Sequence, residues 1–148
     1  MAGKYFFFKM INHLSFSKKG TVRGLHGQSG KYSQDKLIYC IKGKALDIAV
    51  DLRKNSKTFG KSFKIVLSKK NALGLYIPSG FAHAYYSYEK ENIIYYKLDN
   101  YYAPKFESGI LFNDYDLKVK WPRKKMIVSK KDRNLLSLAQ FIKKFKGL

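Results

Sequence analysis

Short apolar runs separated by turn signals, at a spacing of roughly 8–12 residues, constrain the fold of this chain more than any other feature. The best defined run is 45–52, in which Leu46, Ile48, Val50 and Leu52 alternate with other residues and share one face. Further runs of strand type occur at 5–8, 36–41, 62–67, 74–77, 82–88 and 93–98. This pattern predicts an antiparallel β-sandwich or barrel.

Two local signals add detail to this β pattern. Lys42-Gly43-Lys44 stands between the runs 36–41 and 45–52 and predicts a hairpin turn. Apolar residues spaced by three and four from Leu135 to Phe145, preceded by Lys131-Asp132-Arg133, predict a single C-terminal helix. At 148 residues, without a linker or repeat, the chain is expected to form one domain over 1–148. Strand edges exposed on so small a barrel favour a dimer.

The chain is strongly basic, with 30 Lys and Arg against 10 Asp and Glu and a formal net charge of +20. The lysines are spread along the sequence, whereas a nucleic-acid-binding stripe is concentrated and richer in arginine. We therefore expect a solvated lysine surface and no nucleic-acid partner, and a basic barrel that binds a polyanion is the alternative. No apolar stretch approaches the ~18 residues of a membrane span. A lone cysteine, Cys40, and no recognisable signal peptide predict a cytoplasmic protein.

Residues able to carry chemistry occur near the expected strand ends. They include His26, Lys36, His83 and Tyr96. A metal-binding cupin needs three or four ligands, with two histidines close together on one strand, but Gly27 and Gln28 follow His26. No metal is therefore expected. Nucleophile-elbow, phosphate-loop and dinucleotide-binding motifs do not occur in the sequence.

Several short motifs follow one another in a characteristic order. They are Arg23-Gly24-Leu25-His26-Gly27-Gln28, Gln34-Asp35-Lys36-Leu37, Asp47 to Arg53, Ser56 to Gly60, Pro78 to His83, Tyr96-Lys97, Asn100 to Pro104, Asn113-Asp114, Trp121-Pro122 and Ser129 to Asp132. Together they resemble the dTDP-4-dehydrorhamnose 3,5-epimerase family over about residues 15–133. The resemblance implies a mostly β fold, a cupin-type jelly roll (double-stranded β-helix), with a short C-terminal helix. It also implies a homodimer without metal or external cofactor, and a nucleotide-diphosphate sugar as substrate.

The resemblance implies a reaction as well as a fold. The substrate class is a nucleotide-linked 4-keto-6-deoxyhexose, whose C4 ketone acidifies the protons on C3 and C5. By motif position, His26 would be the base, and Asp132 would orient its ring. Lys36 would stabilise the enolate oxygen, and Tyr96 would return a proton from the opposite face. The positions matching substrate-binding residues of the family are Arg23, His83, Tyr102, Glu107, Lys131, Gln28, Asn12 and His13.

The N-terminal part departs from the family pattern. Gly3 and Phe8 stand where the family has an Arg and a Glu that help to hold the nucleotide. The segment before Ile11-Asn12-His13 is shorter than in the family, and Gly27 replaces the usual aromatic residue after the base histidine. We therefore expect epimerisation on a different nucleotide sugar, or at one centre only. A ketoisomerase that moves the carbonyl between C3 and C4, and an inactive family member, are the alternatives, and the intact catalytic set favours the epimerase.

Overall fold

The computed structural model describes residues 11–148, which form ten β-strands and two α-helices. The strands are β1 (Ile11–Ser17), β2 (Thr21–Gln28), β3 (Lys36–Lys42), β4 (Lys44–Asp51), β5 (Ser62–Ser68), β6 (Gly74–Ile77), β7 (Phe81–Ser87), β8 (Asn92–Leu98), β9 (Glu107–Gly109) and β10 (Ile127–Val128). The helices are α1 (Lys130–Arg133) and α2 (Leu138–Phe145). Among the described residues, no helix has the length and apolar content needed to span a membrane.

The strands divide into two sheets. The four-stranded sheet has the order β1-β8-β3-β6, and the larger sheet has the order β10-β2-β7-β4-β5, with β9 paired to β2. Buried side chains from both sheets meet in one core cluster, for example Ile38 and Ile94 from the first sheet and Leu67 and Tyr85 from the second. This confirms the predicted mostly β, cupin-type jelly roll.

Strand β4 explains why the alternating pattern describes the fold only in part. The predicted apolar face, which includes Ile48, Val50 and Leu52, packs in a cluster with Phe141 of α2. The other face is buried too, because its small residue Ala49 belongs to the core between the sheets. Alternation usually indicates a strand with one solvated face. Here the C-terminal helix covers the face that would otherwise be exposed.

The predicted hairpin at Lys42-Gly43-Lys44 is wrong. Strand β3 pairs with β6 and β8, whereas β4 pairs with β5 and β7, so the turn carries the chain from one sheet to the other. Gly43 has a φ of 79°, and a Cβ at this position would lie 2.4 Å from the carbonyl oxygen of Glu91. A local turn signal does not specify which strands pair, because pairing depends on residues distant in sequence.

The predicted single C-terminal helix is interrupted. Between α1 and α2, Leu136 forms a parallel bridge with Ile110 and accepts a hydrogen bond from Leu111 N at 2.8 Å. Helix α2 then begins anew after Ser137, which forms a capping box with Gln140. The predicted strand at 5–8 lies outside the described residues. Strand β1, whose sequence mixes polar and apolar residues, was not among the predicted runs.

Candidate active site

A cavity of about 500 Å³ contains ten of the twelve predicted site residues in its wall. They are His13, Arg23, His26, Lys36, His83, Tyr96, Tyr102, Glu107, Lys131 and Asp132, and they are joined by Ser15, Gln34, Leu98 and Ser129. The larger sheet contributes His26 and His83, and the smaller sheet contributes His13, Lys36 and Tyr96. The cavity therefore has chemically active side chains on both sheets.

His26 is paired with Asp132. The ring Nε2 of His26 donates a hydrogen bond of 2.7 Å to Asp132 Oδ1, and Asp132 is 3% exposed. Burial by itself would raise the pKa of Asp132, but hydrogen bonds from His26, Gly24 N and Ser129 hold it below its ordinary value. An ionised carboxylate can only accept a hydrogen bond, so Nε2 of His26 carries the hydrogen. In neutral His26, Nδ1 is then the unprotonated nitrogen.

Helix α1 and Gly24 bring this pair together. Ser129 caps α1 by accepting a hydrogen bond of 3.0 Å from Asp132 N, and Gly24 N donates to Asp132 Oδ2 at 3.3 Å. The pairing of β2 with β7 shifts register between Arg23 and His26. Gly24 has a φ of 114°, and a Cβ there would lie 2.3 Å from the carbonyl oxygen of His83. Only glycine fits this close approach of β2 to β7.

Lys36 and Tyr96 lie on the smaller sheet. Burial lowers the pKa of Lys36 to about 8, although the negative charges of Glu107 and Asp47 act in the opposite direction. Burial also raises the pKa of Tyr96 well above its ordinary value, and the nearby Tyr85 and Asp47 add to this effect. The phenol is therefore protonated at neutral pH, while the Lys36 ammonium group loses its proton at a lower pH than an exposed lysine does.

A buried histidine–carboxylate pair, His83 and Asp47, lies beside Tyr96. His83 Nε2 lies 2.9 and 3.0 Å from the two carboxylate oxygens of Asp47, and both residues are buried. The His83 ring meets the Tyr96 ring edge-on, with centroids 5.7 Å apart. Asp47 was not among the predicted site residues, because it looked like an ordinary polar member of an alternating strand. No local signal in the sequence distinguishes this carboxylate from a solvated one on a strand.

Tyr102, Glu107 and Lys131 form a connected group at the mouth of the cavity. Glu107 Oε2 accepts a close hydrogen bond from Lys131 Nζ and another, of 3.2 Å, from Tyr102 OH. Burial would lower the pKa of Lys131, but Glu107 and Tyr102 raise it above its ordinary value. Glu107 Oε1 also lies 3.9 Å from His26 Nδ1. The free nitrogen of His26 therefore faces this group.

Arg23 lies at the edge of the cavity. Its guanidinium donates a hydrogen bond of 3.3 Å to the carbonyl oxygen of Phe16. Arg23 also lines a neighbouring groove of about 720 Å³, together with Ser129, and it is the one predicted site residue of that groove. In the described part of the chain, no group of three or more metal-ligating side chains comes together.

Two predicted substrate-binding residues lie outside the cavity wall. Gln28 is buried, and its amide donates to the carbonyls of Tyr32 and Tyr101 at 2.7 and 3.0 Å and accepts from Ala103 N at 2.7 Å. These bonds anchor the loop that carries Tyr102. Asn12 accepts a hydrogen bond of 2.7 Å from Tyr95 OH on the outer side of the sheet.

Comparison with known proteins yields one consistent family. The family model described as dTDP-4-dehydrorhamnose 3,5-epimerase matches residues 6–140. The curated dTDP-4-dehydrorhamnose 3,5-epimerase of Escherichia coli K12 is 42% identical over 137 residues, which are 92% of this chain and 74% of that protein.

Solved structures agree with this result. The dTDP-4-dehydrorhamnose 3,5-epimerase of Bacillus anthracis, crystallised with TDP and PPi, superposes with a TM-score of 0.85 at 41% identity and covers 86% of this chain and 74% of its own. A 3'-monoepimerase from Streptomyces bikiniensis in complex with dTDP-quinovose gives a TM-score of 0.86 at 28% identity, covering 90% and 68% of the two chains.

Proposed function

Since this chain belongs to the dTDP-4-dehydrorhamnose 3,5-epimerase family, we propose that it inverts C3, C5 or both in a nucleotide-linked 4-keto-6-deoxyhexose. Members of the family are isomerases of deoxysugar biosynthesis. The observation that carries the proposal is the cavity in which the His26–Asp132 pair, on one side, faces Lys36 and Tyr96 on the other sheet. An epimerase needs this separation of base and acid, because the proton must leave one face of the sugar and return to the other.

In the proposed reaction, His26 Nδ1 takes the proton from the carbon next to the ketone. The C–H bond breaks, and its electron pair forms the enolate, whose charge develops on the C4 oxygen. Asp132 stabilises the resulting imidazolium through its 2.7 Å hydrogen bond with Nε2. The ammonium group of Lys36 stabilises the enolate oxygen in a partly buried position, where such a charge acts more strongly than in water.

Tyr96 completes the inversion by donating its phenolic proton to the opposite face of the carbon. Its raised pKa keeps it protonated until the enolate forms. No external cofactor is needed, because the ketone of the substrate supplies the acidity. The intact base, orienting carboxylate and acid favour this epimerisation over the ketoisomerase and polyanion-binding alternatives.

The cavity mouth is the proposed site for the nucleoside diphosphate. Arg23 is suited to a phosphate by its planar guanidinium, and Lys131 adds a second cation. Tyr102 offers an exposed ring on which a base can stack. The binding of TDP and PPi by the Bacillus anthracis relative and of dTDP-quinovose by the Streptomyces enzyme supports a dTDP-linked sugar as the first substrate to test.

Hydrogen exchange tests this function directly. The protein is incubated in D₂O with a dTDP-linked 4-keto-6-deoxyglucose, and the C3 and C5 proton signals are followed by NMR. We expect loss of one or both signals and formation of an inverted product. Loss of both indicates a 3,5-epimerase, and loss of one indicates a single-centre enzyme. If neither proton exchanges with dTDP- or other nucleotide-linked forms, the proposed function is wrong.

We also propose that the chain forms a homodimer through the outer face of the four-stranded sheet. Residues opposite one another on paired strands share a face, and on the outer face Leu14 and Phe16 are 45% and 62% exposed. Tyr76, on the far strand of the same face, is 37% exposed. An exposed apolar surface of this kind favours burial against a partner.

Light scattering of the purified protein tests the dimer. We expect a mass of two chains for the unmodified protein and one chain for Leu14→Lys, because the substitution brings like charges together across a two-fold interface. Tyr115→Lys is the control, since Tyr115 is 87% exposed and lies away from this sheet. A monomeric unmodified protein, or a Leu14→Lys variant that remains dimeric, contradicts the assignment of this face.

A further inference from the structure

An epimerase with one base and one acid has to restore both groups after every inversion. When the C–H bond breaks, its proton goes to His26. When Tyr96 protonates the opposite face, the electron pair of its O–H bond stays on the phenolate oxygen. The inversion thus ends with an imidazolium at His26 and a phenolate at Tyr96. Before the next inversion, His26 must lose one proton and Tyr96 must gain one.

His26 has a route for its proton. Its Nδ1 lies 3.9 Å from Glu107, which contacts Lys131, and the Lys131 side chain is 55% exposed. Tyr96 is in a different position, because in the proposed complex the sugar would lie between the phenol and the cavity mouth and would exclude water from the reacting groups. The neighbouring His83 is 5% exposed, and its Nε2 is held by Asp47. His83 therefore has no direct path to solvent.

His13 is the second imidazole beside Tyr96. It lies on β1 directly opposite Tyr96 in the antiparallel register, so both side chains face the cavity. The two rings have centroids 5.5 Å apart and an interplanar angle of 52°. His13 is exposed to solvent and also lines the cavity. Imidazole is the side chain best suited to exchange protons with water near neutral pH.

We propose that His13 is the proton shuttle that returns a proton from solvent to the Tyr96 phenolate while the sugar nucleotide is bound. The proposal rests on the proposed epimerase function. In this step an N–H bond of the His13 imidazolium breaks, its electron pair stays on nitrogen, and the proton forms the new O–H bond of Tyr96. Neutral His13 then takes a proton from water or from a buffer acid at the cavity mouth. The shuttle sets the rate of repeated inversion and not that of the first proton abstraction.

The variants His13→Asn and His13→Gln test the shuttle. Neither amide titrates near neutral pH, while both retain hydrogen-bonding capacity. Because His13 also lines the cavity wall, the first turnover of each variant, measured at saturating sugar nucleotide by rapid mixing and NMR of the quenched sugar, serves as that variant's own reference rate. Relative to this first turnover, the steady-state turnover should fall about tenfold, less than the ~10²–10⁴-fold contributed by a group that transfers the proton to substrate itself. If two centres are inverted, the fraction of singly inverted product should rise.

Addition of free imidazole to the buffer tests whether the variants lack a proton carrier, because a small proton carrier can replace a missing shuttle. Turnover of both His13 variants should increase with imidazole concentration, whereas that of the unmodified enzyme should not. A Lys36→Met variant, whose defect would be a lost charge, serves as the control and should show no imidazole response.

The shuttle is overturned if the variants turn over at the unmodified rate. It is also overturned if the first and the steady-state turnover slow by the same factor, or if the slow steady state shows no imidazole response; these results indicate substrate binding or folding. Its failure is distinguishable from failure of the epimerase function. In the latter case the unmodified protein itself exchanges no proton of the sugar.

Discussion

Replacement of His26 by alanine is expected to lower the rate of hydrogen exchange at the sugar by about 10²–10⁴-fold. The physical reason is the loss of the proposed base, since the other carboxylate-paired imidazole of the cavity, His83, is 5% exposed and lies beside the proposed acid Tyr96. Binding of the nucleotide should change little, because the cations at the cavity mouth remain. The change should therefore appear in kcat far more than in KM.

The measurement is NMR exchange in D₂O with saturating sugar nucleotide, together with titration of dTDP by calorimetry. Asp132→Asn is the informative companion, because asparagine retains the shape but cannot stabilise an imidazolium as a carboxylate does. It should be slow as well, with a profile of rate against pH that differs from that of the unmodified enzyme. Retention of more than a tenth of the exchange rate by His26→Ala would rule out His26 as the base.

Replacement of Lys36 by methionine is expected to lower turnover by about 10²–10³-fold, the range for removing one preorganised group at a developing oxyanion. Methionine has a similar length and an apolar end, so it fills the same space without charge. Turnover of the unmodified enzyme should fall as the pH rises through about 8, since burial lowers the pKa of Lys36 to about 8 and the protonated form is the active one.

Lys36→Arg separates charge from titration. Arginine stays protonated throughout the accessible pH range, so this variant should be slower than the unmodified enzyme at pH 7 but should lose the decline near pH 8. The profiles are measured at saturating substrate, with thermal unfolding recorded at each pH as the control for folding. An unchanged alkaline decline in Lys36→Arg would assign that titration to another group.

Residues from separate sequence motifs meet in the candidate site. Arg-Gly-Leu-His and Ser-x-Lys-Asp are short motifs, and the resemblance they carry led to His26 and Asp132, which lie 106 positions apart and meet at 2.7 Å. Asp47 was missed, because its partner His83 is 36 residues away and nothing local distinguishes an inward carboxylate on a strand from a solvated one. Gln28 matched a binding position, but its amide is bonded to the loop that carries Tyr102.

The sequence by itself determined the fold class, the positions of most strands and the family, because alternation, turn residues and ordered motifs are local properties of the chain. Only the tertiary structure decided that β3 and β4 belong to different sheets and that the C-terminal helix is interrupted before Leu138. It also decided that His13 lies beside Tyr96. These features depend on pairing between strands distant in sequence and on the burial of whole strand and helix faces. The tertiary contacts that stabilise them override local propensity, so no short segment predicts them.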